Sequence, residues 1–198
     1  MALLSVEKRK EYFKYLGLGA YSKKNILKMQ KKYMLRKSDW DGCYGPDTDA
    51  LLRHLRNVKK HAPSFRPEEF RCGCNGRYCT GYPTRMKVRE LKHLQTIRDH
   101  YKRPMEITSG LRCKKYNDDL KGSSNQSYHM HGYAADFYMK GVTDTLAHRK
   151  KAIRYIRKLK NHHYTYGDGV YTWGNNGAIK SISAPNMGNA LHTDVVKD

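Results

Sequence analysis

The sequence predicts an α+β protein: a small three-helix part, then a small antiparallel sheet with flanking helices. Three observations carry this expectation. Apolar residues recur at three- and four-residue spacing within residues 7–58, and again over 88–101 and 146–159. Short alternating runs near 105–108, 133–138 and 190–196 read as strands. Between the two parts, Lys59, Lys60, Pro63 and Pro67 mark a linker. The expected division is therefore residues 1–60 and residues 61–198.

A chain of 198 residues has room for one medium domain and a small one. Hydrophobic residues make up 38%, enough for a modest core despite a mean hydropathy of -0.88. Lys and Arg number 39 against 18 Asp and Glu, a formal net charge of +21. Such an excess suits a polyanionic partner: nucleic acid, an anionic cell wall or a membrane surface. A plainly solvated surface is the other reading. The excess is spread along the chain, and no nucleic-acid-binding motif accompanies it. No segment approaches the ~20 apolar residues of a membrane span. The apolar start is too short for a signal peptide, so synthesis in the cytoplasm is expected.

The elements follow in order. Residues 7–16 suit a short helix with Tyr12, Phe13 and Leu16 on one side, broken by Gly17 and Gly19. Ile26, Met29, Gln30, Tyr33 and Met34 mark a second helix. After an Asp-Gly and Gly-Pro turn, Asp47 or Thr48 is placed to cap a third helix through Leu51, Leu52 and Leu55. Residues 70–82 form a turn-rich loop. A helix from Thr84 carries Val88, Leu91, Leu94, Ile97 and Tyr101 inward and ends at Pro104. A strand over 105–108, a short helix around Tyr116-Asn117 and a strand over 133–138 come next. A helix with Leu146, Ile153, Ile156 and Leu159 inward is expected to run to about His162. Residues 167–171 read as a turn into a strand. The Gly/Asn/Ser-rich stretch 174–189 reads as a loop before the last strand, 190–196.

Gln30, the loop Asp41-Gly42-Cys43-Tyr44-Gly45-Pro46-Asp47-Thr48 and the following Ala50-Leu51 resemble the small three-helix peptidoglycan-binding domain. The similarity covers about residues 5–58. Met29 before Gln30 departs from the family pattern, as does the lack of a Phe-Gln pair closing the last helix. The resemblance implies a module that holds bacterial peptidoglycan.

The densest chemistry lies in Ser127-Tyr128-His129-Met130-His131-Gly132-Tyr133-Ala134-Ala135-Asp136. Gly132 permits a tight turn after His129, and strand alternation puts Ala134, Asp136 and Tyr138 on one face. In the last strand His192 and Asp194 share a face. If the two strands are neighbours, His129, Asp136 and His192 converge. Two imidazoles and one carboxylate would hold zinc and leave a coordination position open. His131 reads as an exposed residue.

The pattern Ser127-x-His129-x-x-Gly132-x-Ala134-x-Asp136, followed by His192-x-Asp194, resembles the zinc D-alanyl-D-alanine carboxypeptidase family. That family includes L-alanyl-D-glutamate endopeptidases used as phage endolysins and is structurally related to the hedgehog signalling domain. Thr108-Ser109-Gly110-Leu111-Arg112 with Tyr116-Asn117 matches a further family element. The similarity spans about residues 65–196. It implies His129, Asp136 and His192 as zinc ligands, and Arg112 as the cation that holds the substrate carbonyl or the oxyanion. Ser127 is implied as a substrate contact or a structural turn residue. Several relatives carry an acid three residues before the last ligand, where this chain has Asn189. Asp194 is then the first candidate base and Asp168 the second. Asp194 could instead orient a ligand histidine.

Five cysteines remain. Cys72, Cys74, Cys79 and Cys113 suit a structural zinc site, reduced thiols or disulfides, and Cys43 reads as free. A nucleophilic-cysteine hydrolase is less consistent, because no paired base lies near these cysteines in sequence. The reading that results is a zinc peptidoglycan peptidase of the phage endolysin type, a monomer. It would act on peptidoglycan and anionic wall polymers after release or export. Pocket length would be set by the 174–189 loop with Tyr171 and Trp173. The rival classes are a catalytically inactive zinc-containing module that binds wall or protein, and a nucleic-acid-binding protein.

Overall fold

The computed structural model describes residues 2–197. Three helices open the chain: α1 (Val6–Leu16), α2 (Lys23–Tyr33) and α3 (Pro46–His61). Ser5 and Ser22 cap the first two through their hydroxyls, each satisfying an otherwise orphaned backbone N–H. The third starts earlier than Asp47 or Thr48 would allow. Pro46 stands at its first turn after Gly45, because a proline there gives up no needed hydrogen bond. Thr48 is instead drawn into a clamp on the preceding loop. Buried Gln30 donates to Asp41 Oδ1, Cys43 O and Thr48 Oγ1 and accepts Gly42 N–H.

The remainder holds α4 (Val88–Tyr101), α5 (Lys114–Asp119), α6 (Leu146–Ile156) and six strands. These are β1 (Glu106–Ser109), β2 (Ala134–Tyr138), β3 (His162–Gly167), β4 (Val170–Trp173), β5 (Ile179–Lys180) and β6 (Leu191–Val195). They form one antiparallel sheet in the order β1-β2-β6-β3-β4-β5. The α+β expectation holds.

Four details differ from the sequence reading. The helix placed from Thr84 begins at Val88. The helix expected to reach His162 stops at Ile156, and 162–167 form β3. Tyr and Thr favour a pleated strand and pair there with β4 and β6 on both sides. Leu146, expected inward, is 40% exposed, because Thr145 caps α6 and leaves Leu146 on its open first turn. The 174–189 stretch contains β5 and a short 3-10 turn at Pro185–Met187.

The buried core is continuous from the helices to the sheet. Phe13, Leu51, Leu55, Leu91, Ile97, Phe137, Ile153 and Leu191 belong to one cluster. His54 on α3 ties the parts together: its Nδ1 accepts Met86 N–H and its Nε2–H donates to Pro67 O. Burial pushes the His54 imidazole down to about 4, so it stays neutral and can both donate and accept.

Candidate metal centre and active site

The last strand in sequence sits near the middle of the sheet, and this placement builds the site. β6 lies between β2 and β3, so His192 falls directly opposite Asp136. His129 arrives from the 3-10 turn Tyr128–His131, which Gly132 closes at φ 76°. A side chain at Gly132 would be strained, and its Cβ would run into the Arg85 carbonyl oxygen.

His129, Asp136 and His192 thus converge, all buried. His192 Nδ1 lies 2.8 Å from Asp136 Oδ1 and 3.2 Å from His129 Nε2, and the third edge, His129 Nε2 to Asp136 Oδ1, is 3.2 Å. Tetrahedral zinc with ligand bonds of ~2.0–2.1 Å places its ligand atoms ~3.3 Å apart. The triangle fits such an ion.

The far side of each ring supports the same donor set. His129 Nδ1–H donates to Gly110 O at 2.7 Å; a carbonyl can only accept, so Nε2 keeps its lone pair toward the triangle. Burial holds His129 below the usual histidine range, against the pull of Asp136. His192 Nε2–H faces Asp194 Oδ2 at 3.1 Å, leaving Nδ1 on the triangle. Burial opposes charge on His192, but hydrogen bonds to Asp136 and Asp194 outweigh it and lift the metal-free imidazole to about 9. Burial also opposes charge on Asp136, yet His129 and His192 hold its carboxyl well below the usual range. The group is an anion flanked by imidazoles, a cation-binding arrangement.

Arg112 reaches this site from the segment after β1. Its Nη2 donates to Asp136 Oδ2 at 2.9 Å, and its Nε and Nη2 donate to Ser109 Oγ. A bulge at Thr108 sets Ser109 opposite Asp136. Arg112 therefore grips the carboxylate of a candidate ligand.

Asp194 has both oxygens engaged: Oδ2 with His192 and Oδ1 with His163 Nδ1 at 2.7 Å. His163 stacks on Tyr128, with ring centroids 4.9 Å apart, and meets Trp173 edge-on. Sequence reasoning passed over His163. Strict alternation in β3 would turn it from the site, but a register shift between His162 and Tyr164 turns it toward Asp194. The adjacent His162-His163 pair beside Tyr164 was the available signal. Glu90 was also passed over. It is buried on α4 with no hydrogen-bond partner for either oxygen, and burial, then Asp194 and Asp136, raises its carboxyl well above the usual range.

The other candidates spread around the centre. Trp173 is 61% exposed on β4 and packs against His163 and Tyr164, and Tyr171 lies beside Tyr164. Ser127 precedes the His129 turn, and its carbonyl accepts Met130 N–H. Asp168 is not brought to the three candidate ligands; it accepts Ala184 N–H and braces the turn after β3. His131 is exposed. Asn189 lines a cleft of about 500 Å³ with Asp136, Ser109, Thr108, Glu106 and Tyr138, and receives a hydrogen bond from Arg149. Of the three converging residues, Asp136 lines this cleft.

The Peptidase M15 family model matches residues 63–171, more than half of the chain. The match includes Arg112, His129 and Asp136 and ends before His192. No curated protein and no solved structure matches significantly. M15 peptidases are zinc-dependent, and the donor set found here suits that ion. The chain belongs to the Peptidase M15 family of metallopeptidases.

Proposed function

We propose that the protein is a zinc-dependent peptidoglycan peptidase that hydrolyses an amide bond in the peptide stem, in the setting of phage-driven lysis. The observation that carries this is the convergence of His129, Asp136 and His192 on one point, each with its outer atoms held by a second partner. These three residues would hold zinc. When bound, zinc supplies Lewis acidity to a carbonyl oxygen and acidifies water to a pKa of ~7. Arg112 holds Asp136 Oδ2 and so aims the carboxylate, and its charge lies beside the position where negative charge develops.

Asp194 and His163 form the proton-handling pair. Hydrolysis adds hydroxide to the carbonyl carbon and breaks the C–N bond. The leaving amine takes the proton that this pair carries. Trp173, Tyr171 and Ser127 border the substrate. The helices within 1–60 serve as the wall-binding part, and the charge of +21 favours an anionic wall. The place of action is the cell wall, after release or export of the protein.

The observation that favours a second reading is Asn189, which cannot act as a base and is tied to Arg149. It fits a zinc-containing module that binds wall without cutting it. Purified cell walls, incubated with the zinc-loaded protein, separate the two. Turbidity should fall, stop on chelation and resume with zinc; intact walls under all conditions would leave only the binding module.

A further inference from the structure

Outside the catalytic centre lies a second group of metal-ligating side chains. Cys72, Cys74, Cys79 and Cys113 bring four sulfurs within 4.8 Å of one another. All four are free thiols. Three are buried, and with Tyr78 and Tyr116 they form a cluster separate from the main core. Cys74 Sγ and Cys79 Sγ lie 3.4 Å apart, far beyond the ~2.05 Å of a disulfide. Tetrahedral zinc with Zn–S bonds of ~2.3 Å sets its sulfurs ~3.8 Å apart. The backbone around them is shaped for this purpose. Residues 71–82 contain neither helix nor strand, and Asn75, Gly76 and Gly81 have positive φ. Gly73 lets the turn lie close against Tyr116, since a Cβ would stand 2.8 Å from the Tyr116 hydroxyl and 2.9 Å from its ring. Cys113 N–H donates to Cys72 Sγ at 3.3 Å, a contact that favours a thiolate.

We infer that Cys72, Cys74, Cys79 and Cys113 form a tetrathiolate site for a structural divalent metal ion of the zinc class. Four sulfurs fill a tetrahedral ion and leave no open position, so the site is structural. The loop has few alternatives for stability, because its own core is four sulfurs and two tyrosines. The ion would clip the 72–79 loop to Cys113, and hydrogen bonds carry the tie further. Cys72 N–H bonds Gly81 O, Thr80 O accepts Leu35 N–H from the helical part, and Cys113 follows Arg112 directly. The clip therefore fixes the chain that carries Arg112 toward Asp136. The assignment stands on these thiols alone and is independent of the catalytic reading.

The test is metal content and cobalt spectroscopy of a His129→Ala/His192→Ala variant, which keeps every cysteine. Purified with zinc, it should hold one zinc ion per chain. Exchange with cobalt should give a strong sulfur-to-cobalt charge-transfer band, absent when Cys74→Ser is added. The unmodified protein should hold two zinc ions, and a single zinc lacking the charge-transfer signature on cobalt exchange would refute the thiolate site. A metal-free double-histidine variant that is folded by circular dichroism would refute it too. So would two disulfides found by mass measurement after alkylation of the denatured, unreduced protein. Loss of the catalytic zinc alone would leave the band in place, so failure of the two readings is distinguishable.

Discussion

Asp136 faces His192 across one rung of the β2–β6 ladder, with Oδ1 2.8 Å from His192 Nδ1, while its other oxygen takes Arg112. The sheet order makes this possible, because the C-terminal strand is inserted beside β2. One carboxylate thus joins a candidate ligand histidine to the half-buried Arg112 guanidinium.

Arg112→Lys should weaken metal binding without unfolding the protein. Lysine cannot reproduce the fork that grips Ser109 and Asp136 together. Loss of an outer partner of a ligand costs roughly 10–100-fold in metal affinity. Competition with a chromophoric chelator measures this; unchanged affinity would remove Arg112 from the ligand frame.

Metal uptake at neutral pH should release a proton. His192 in the metal-free protein is raised to about 9, whereas ligation requires a neutral ring. The same shift fixes the sign of stability against pH for the metal-free form. A raised pKa contributes stability that is full below the unfolded value of ~6.5 and is lost as pH rises through about 9. Calorimetry in buffers of different ionisation enthalpy reads the proton, and thermal melts read the slope. Asp194→Asn should flatten both.

Glu90→Gln should stabilise the protein at pH 8 and have little effect at pH 4. Glu90 has no partner, and its raised carboxyl makes ionisation in the fold costly. Its contribution is full below ~4.5 and is lost as pH rises through the folded value. Denaturant melts read the gain at pH 8 against the value at pH 4. A variant destabilised at both pH values would contradict this.

His163→Phe should retain the metal yet lower kcat, by roughly 10²–10⁴-fold if the pair moves the proton. Asp194→Asn should lower kcat likewise while also loosening the metal through His192. His163→Phe preserves the stack on Tyr128 and removes only the hydrogen bond to Asp194. Its pH–rate profile should lose or shift one limb. An unaltered profile would leave His163 as packing.

Much of the site was legible in sequence because turns and alternation are local. Gly132 and the period-two run placed Asp136 near His129, whereas His192 was joined to them only on the condition that its strand lies beside β2 and by the family resemblance. What was hidden depends on non-local pairing. β3 followed directly from a helical pattern, and its strand state comes from β6 and β4 on either side. The bulge that turns His163 toward Asp194 has no sequence mark of its own. Glu90 reads as an ordinary helix-surface acid until α4 packs on β6. The sequence grouped Cys72, Cys74, Cys79 and Cys113 but left zinc, thiols and disulfides open; the fold is what brings their four sulfurs together.

The central claim is cutting of the peptide stem at the His129–Asp136–His192 centre, and mass spectrometry of digested muropeptides tests it most directly. Zinc-loaded protein should yield stems split at one amide bond, gaining one water per cut. His192→Ala and chelated protein should yield none. Intact stems after digestion by the zinc-loaded protein, or equal cutting by His192→Ala, would contradict it.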